Sequence, residues 1–223
     1  MGACCTHPPW SGLQRLQFLI LTECECGCVM EAVNGITPLE FPDYDGGVAK
    51  IDSVCCSGAS VSYFWRGSAR GRHVEQTVFS AKQALKDSGA ELNPIQEADF
   101  EAQIEDRLSL AQDGELIPVD HVKTIRRKPA IEMFEIRWTD VSVNRRDRVS
   151  GLVAQEIAHV RLYYIEEGFN WVVGVHIHEK VIIEEDEQAT LDLQDVEIDE
   201  AIHFVEDHRD GWWGVEELQA SET

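Results

Sequence analysis

Near residue 131 the hydrophobic period of this chain changes from that of an α-helix to that of a β-strand, and this change constrains the fold more than any other feature. The first predicted helix covers residues 74–87. Its apolar positions have helical spacing, and a glycine follows them: Val74, Val78, Ala81, Leu85 and then Gly89. A second helix is predicted after Asn93, which can cap it, with Pro94 at its first position and Gly114 ending it.

From residue 131 onward, apolar and polar side chains alternate, as in half-buried strands. The alternation predicts three strands, over residues 131–138, 157–165 and 171–178, and a shorter candidate strand covers 60–65. The stretch 139–156 is predicted to be irregular. A C-terminal helix is predicted around residues 198–205, with Asp192 and Asp195 near its positive end.

This order of elements predicts an α+β fold. In it, a small antiparallel sheet carries two N-terminal helices and one C-terminal helix, with the helices on one face. Three regions are expected: an irregular or disordered leader over 1–58, the α+β domain over 59–210, and an acidic tail over 211–223.

Charge and hydropathy exclude some classes of protein. The chain has 19 Lys and Arg against 41 Asp and Glu, a net charge of −22, and this excess argues against broad non-specific binding of nucleic acid. Hydrophobic residues make up 43%, enough to build a core. No stretch approaches the roughly 20 apolar residues of a membrane span, so a membrane protein is not expected.

The cysteines lie in the first quarter of the chain, and their number is odd: Cys4, Cys5, Cys24, Cys26, Cys28, Cys55 and Cys56. A disulfide framework could not reach the later residues, so we predict a reducing, cytoplasmic setting. The alternating cysteines could bind a soft metal, but they lack the paired C-x2-C spacing of zinc sites. The alternatives to a metal site are that these cysteines belong to a disordered leader, or that translation truly starts at Met30.

Positive charge is concentrated between residues 121 and 150. Eight cations lie there against four acids: Lys123, Arg126, Arg127, Lys128, Arg137, Arg145, Arg146 and Arg148. After residue 180, Arg209 is the only cation. One interpretation is a phosphate-binding patch, with Lys123, Arg126, Arg127 and Lys128 as RNA-binding candidates. The other is two solvated surfaces of opposite charge.

The strand period places several polar groups opposite the apolar face of their strands. Arg137 belongs to the first strand, Arg161 and Tyr163 to the second, and His176 and His178 to the third. If the strands are neighbours, these groups share one surface. Arginine can hold phosphate, and histidine or tyrosine can move a proton, as metal-free RNA cleavage requires.

Simpler explanations remain open for each of these groups. Arg137 can pair with Glu135, and tyrosines in strands usually pack. His176 and His178 could bind a metal, but no third ligand is identifiable from the sequence, so we predict no metal and no cofactor.

Two of the strand sequences carry a family resemblance. EMFEIR at residues 132–137 resembles the "lyELR" strand of the RelE/HigB/ParE toxin superfamily, and HVRLYYI at 159–165 resembles the strand that follows it. Residues 171–180 and 195–209 are similar to its next strand and closing helix, particularly in the phage-derived HigB-like branch. Similarity is strongest over residues 120–209 and weaker back to about 60.

The resemblance implies a type II toxin that cleaves messenger RNA, often on the ribosome, and is held inactive by a cognate antitoxin protein. Arg137 and Arg161 match the motif arginines and would bind phosphate, and Lys180 matches one of two motif lysines. Glu179 stands at the other lysine position, and the net acidity departs from the family. Tyr163 or His178 is predicted to transfer the proton. The alternative is a non-catalytic phage- or prophage-derived protein-binding module on the same fold, contacting its partner through the acidic helix and Trp212-Trp213.

Overall fold

A computed structural model describes residues 52–125, 131–167 and 170–221, all within the unit Gly46–Thr223. Residues 1–51 of the predicted leader (1–58), including Met30 and five of the cysteines, lie outside the described residues, as do Arg126, Arg127 and Lys128. The strands are β1 (Ser62–Trp65), β2 (Ala90–Glu91), β3 (Val122–Thr124), β4 (Glu132–Arg146), β5 (Val153–Glu166) and β6 (Trp171–Glu179). The helices are α1 (His73–Asp87), α2 (Pro94–Gln112), α3 (Glu187–Asp207) and α4 (Glu216–Ala220), with 3-10 helices at Val54–Cys56 and Arg209–Gly214.

The strands form one mixed sheet in the order β1-β6-β5-β4-β2, and β3 also pairs with β4. Strands β4, β5 and β6 are mutually antiparallel, whereas β1 runs parallel to β6. Gly174 lies where β6 passes β1. A Cβ atom there would approach the Tyr63 hydroxyl to 2.5 Å, so this close approach requires glycine.

Helices cover both faces of this sheet. On one face, α1 and α2 pack on alternate residues of β4 and β5, including Ile136, Trp138 and Leu162. On the other face, α3 packs through Ile198, Ala201 and Val205. We call these the α1/α2 face and the α3 face.

The predicted fold class is therefore wrong. The sheet is mixed and six-stranded, and it carries more helices than a small RelE-like fold with two N-terminal helices and one C-terminal helix. The helices are not confined to one face, because residues such as Met133, Tyr163 and Ile165 form a second buried cluster of their own.

The start of α2 follows its predicted chemistry closely. The Asn93 side chain accepts hydrogen bonds from the backbone N–H groups of Ile95 and Gln96, and the Gln96 side chain accepts one from the Asn93 N–H. Proline at the first position costs no hydrogen bond, since that N–H has no partner within a helix. The sequence signals for this helix are confirmed.

The stretch 139–156 was predicted to be irregular and is mostly strand. Strand β4 continues to Arg146 and β5 begins at Val153, so the two form a long hairpin with a register shift between Trp138 and Val141. Val141 and Val143 are buried on alternate positions. Likewise α3 begins at Glu187, capped by Asp186, so Asp192 and Asp195 lie inside the helix and not before it.

Both predicted domain boundaries lie inside packed structure. The 3-10 helix Val54–Cys56 buries Cys55 in the core and is held by Glu166, which accepts a 2.6 Å hydrogen bond from the Ser53 hydroxyl. At the other end, Trp213 is 1% exposed and donates from its indole nitrogen to the Val205 carbonyl, so it is not an exposed interface anchor. No helix in the described part of the chain is long and apolar enough to span a membrane.

Candidate functional site

Polar side chains from three strands meet on the α3 face. The register pairs Arg137 with Arg161 and Arg161 with His178, and pairs Glu135 with Tyr163 and Tyr163 with His176. Residues paired across antiparallel strands point to the same face. The structure therefore brings together the side chains of Arg137, Arg161, Tyr163, His176 and His178, as the strand period predicted.

Glu135 lies between the two arginines. Its carboxylate is 3.4 Å from Arg137 Nε and 3.8 Å from Arg161 Nε, and its side chain is 2% exposed. Gln194 of α3 approaches the same carboxylate at 3.5 Å. The expected pairing of Arg137 with Glu135 is thus present, and it includes the neighbouring arginine.

Arg161 is enclosed, with 3% of its side chain exposed, whereas 22% of Arg137 reaches the surface. Within the described residues, the Nε atoms of both are buried and have no hydrogen-bond partner. Burial lowers the pKa of Arg161, and the charge of Glu135 partly restores it. Arg161 therefore supplies positive potential from beneath the surface.

Two further basic side chains adjoin this pair. Lys180 continues from β6 and donates its backbone N–H to the His159 carbonyl at 2.7 Å. The pKa of Lys180 is lowered by burial and by the charge of Arg161, with smaller contributions from Arg137 and Lys123. The pKa of His159 is lowered by burial and then by Arg161 and Lys180. These shifts mark a region of positive potential in a protein of strongly negative net charge.

We call Lys123, Arg137, His159, Arg161 and Lys180 the basic cluster. Lys123 is exposed, and Arg137, His159 and Lys180 are half-buried. His159 and Lys180 open into a cleft of about 440 Å³ that Arg145 and Ile157 also line. Arg145 is engaged with Glu179 and lies 3.3 Å from Glu156, so its charge is already neutralised.

The two residues predicted to transfer a proton are turned inward. Tyr163 is fully buried, and its hydroxyl lies 3.1 Å from His178 Nε2. His178 Nδ1 lies 3.1 Å from the Glu179 carbonyl oxygen, so Nδ1 carries the proton and Nε2 accepts from the tyrosine. Burial and the neighbouring His176 lower the pKa of His178 to about 3, while burial and Glu135 raise that of Tyr163. Both groups are neutral and partnered.

His176 belongs to the same layer but contacts α3. Its Nε2 lies 2.7 Å from a carboxylate oxygen of Glu197, and its ring stacks near that of Tyr163 with 6.0 Å between centroids. This contact ties the third strand of the site to the helix above it.

Four participants were not singled out from the sequence. Glu135 was noted only as a possible partner of Arg137, and its position between two arginines depends on the register of β4 and β5. His159 continues the alternation of Arg161 and Tyr163, so the period of two contained the signal for it. Gln194 and Glu197 could not be assigned, because α3 was predicted to start too late.

No protein-family model, curated protein or solved structure matches this chain. The resemblance to RelE/HigB/ParE toxins therefore stays a prediction, based on its short strand motifs.

Proposed function

We propose that this protein binds RNA phosphates at the basic cluster and is a metal-independent endoribonuclease, the toxin component of a type II toxin–antitoxin system. The observation that carries the proposal is the excess of positive charge at one place. Arg137 and Arg161 flank the buried carboxylate of Glu135, Lys123 is paired with Glu135 in the strand register, and the charges of Arg161 and Glu135 both act on Lys180. Guanidinium and ammonium groups are the usual protein ligands of phosphate, and they bind it most strongly where water is scarce.

The position of each group suggests its role. Arg137 and Lys180 would contact the phosphate, and buried Arg161 would strengthen the potential beneath them. His159 is half-buried beside Lys180, and its lowered pKa keeps the imidazole neutral near pH 7. A neutral imidazole can accept the proton of a ribose 2′-hydroxyl as that oxygen attacks phosphorus.

The bond from phosphorus to the 5′ oxygen breaks in the same reaction, and that oxygen takes a proton from Lys180. The products would be a 2′,3′-cyclic phosphate and a 5′-hydroxyl. The role first given to Tyr163 or His178 thus passes to His159, because Tyr163 and His178 are hydrogen-bonded to each other. The cellular counterparts of this proposal are messenger RNA in the cytoplasm and a cognate antitoxin.

The test uses the full chain, a fluorescent RNA oligonucleotide and EDTA in the buffer. We expect cleavage, and we expect Lys180→Gln or His159→Gln to abolish it while binding falls only for Lys180→Gln. Lys86→Gln, an exposed lysine at the end of α1, is the matched control. A folded, pure chain that neither binds nor cleaves RNA would refute the proposal.

A non-catalytic protein-binding module is the second candidate, and a different observation favours it. The segment after β6 and the outer side of α3 expose apolar side chains that the described residues do not cover. They are Val181, Ile182, Ile183, Leu193 and Val196. Trp213 is buried, so these residues replace it as interface anchors. Two results together would favour this candidate. The chain would bind RNA without cleaving it, and Ile182→Asp would abolish the binding of a purified partner protein.

A further inference from the structure

We infer that His176, Glu197 and Glu200 bind a divalent transition-metal ion between β6 and α3. One nitrogen and two carboxylate groups offer donor atoms that all lie within 4.8 Å of one another. They come from two elements that are far apart in sequence, so the fold and not local spacing brings them together. None of the three residues belongs to the basic cluster, and the inference does not depend on RNA cleavage.

The geometry of the two elements supports a shared ion. Glu197 and Glu200 are three residues apart on α3 and therefore project from the same side of the helix. His176 faces them from β6, with Nε2 2.7 Å from a Glu197 oxygen. The side chains of His176 and Glu197 are 14% and 34% exposed, whereas Glu200 is exposed. Two partly desolvated ligands and one accessible ligand leave an open path for entry of an ion.

The charge of α3 favours a cation at this place. The helix contains eight carboxylates and no Lys or Arg: Glu187, Asp192, Asp195, Glu197, Asp199, Glu200, Glu206 and Asp207. Arg66 interacts electrostatically with Glu200, and its guanidinium carbon lies 4.2 Å from the centre of the Phe204 ring. A divalent ion would offset the repulsion among these acids and hold the helix on the sheet.

The ligand types indicate the class of metal. Imidazole nitrogen together with carboxylate oxygen suits Mn²⁺, Fe²⁺, Co²⁺ or Zn²⁺, whereas Mg²⁺ and Ca²⁺ prefer oxygen alone. Three protein ligands leave further positions for water. The ion would replace the contact between His176 and Glu197.

The test is a titration of the full chain with Mn²⁺. Binding is measured as the decrease of the electron paramagnetic resonance signal of the free ion. Mn²⁺ is chosen because it prefers oxygen and nitrogen, so the thiolates near the N-terminus do not compete. We expect one saturable site per chain. Its affinity should fall about tenfold or more in His176→Gln and in Glu200→Gln.

Glu206→Gln is the matched control, because it removes one exposed negative charge from the same helix without touching the site. His176→Gln removes the nitrogen ligand and leaves every carboxylate of α3 in place, so a loss of affinity there cannot come from a less acidic surface. Circular dichroism of each variant checks that the chain is folded. Equal Mn²⁺ affinity in all the variants, or no saturable binding by the unaltered chain, would overturn the inference.

Discussion

The two faces of the central sheet are built from different chemistry. The α1/α2 face is apolar throughout its middle, where Phe100, Ile104 and Leu108 of α2 meet the sheet. The α3 face begins with an apolar cluster around Ile198 and Val205, but beside it the sheet presents Glu135, Arg161 and His178, all nearly buried. Charged groups are costly to bury even when paired. A face that keeps them despite this cost has the arrangement expected of a binding surface, whereas the other face serves stability.

The largest expected effect comes from the apolar face. Ile104→Ala leaves a cavity in a fully buried position, and we expect the free energy of unfolding to fall by about 4 kcal/mol. Denaturant unfolding followed by circular dichroism measures this. RNA binding by the fraction that remains folded should be unchanged, and a parallel loss of binding would contradict the separation of the two faces.

Glu135→Gln should be nearly as destabilising, for a different reason. It leaves Arg161 buried without its counter-charge, and we expect a loss of about 3 kcal/mol in the free energy of unfolding. Binding of RNA by the folded chain should become tighter, since a carboxylate that adjoins the basic cluster loses its negative charge. The double variant Glu135→Gln with Arg161→Gln is the control, and it should recover part of the lost stability. If Glu135→Gln alone is as stable as the unaltered chain, then water solvates the pair of Glu135 and Arg161 in the folded protein.

The helix caps give a smaller and more selective comparison. Asn93→Ala removes the cap of α2, and Asp186→Ala removes the cap of α3. We expect each to cost about 1 kcal/mol in the free energy of unfolding. Hydrogen exchange should then show increased opening of α2 in the first variant and of α3 in the second. Equal opening of both helices in each variant would mean that the faces are not independent.

The smallest expected effect is a dependence of RNA binding on pH. The pKa of His159 is lowered, so in the free protein it takes up its proton below the ordinary value of 6.5. The protonated ring attracts phosphate, and affinity should therefore increase as the pH falls through that range.

Because exposed charge pairs contribute well under 1 kcal/mol, we expect a change of about threefold, measured by fluorescence anisotropy. The groups that shift His159 are Arg161, Lys180, Glu179 and Arg137. Of these, Glu179 forms an ion pair with Arg145. His159→Gln should remove the dependence, and a steep dependence that survives this variant would assign it to another group.

Local structure was largely predictable from the sequence. The two N-terminal helices and the cores of β4, β5 and β6 follow from hydrophobic period and capping chemistry, and the common face of Arg137 and Arg161 follows from the period of two. The outer hairpin was missed because the register shift after Trp138 interrupts the alternation before Val141 resumes it. The start of α3 was missed because its first two turns are mostly polar.

Tertiary features were less predictable. Nothing in the sequence indicates that β1 pairs in parallel with β6, or that Met133 and Ile165 build a second core beneath a helix. The alternation in β6 also fails locally. There is a shift in the β5–β6 register between Tyr163 and Tyr164, and it places Val175 on the same side of the sheet as His176. Burial of Arg161 beside Glu135 depends on this pairing of distant segments, which local patterns do not contain.

The five tryptophans in the described part of the chain divide between the two faces in a way that has a spectroscopic consequence. Trp171, Trp212 and Trp213 form a trio beside α3, with ring centroids 6.1 to 6.2 Å apart and steep mutual angles, whereas Trp65 and Trp138 lie in the opposite core. Indoles so close and so inclined couple their electronic transitions, which gives a near-ultraviolet dichroic signal of their own. Detachment of the C-terminal helices would erase this signal while the far-ultraviolet spectrum barely changes, so the chain carries an intrinsic optical reporter for one side of its sheet.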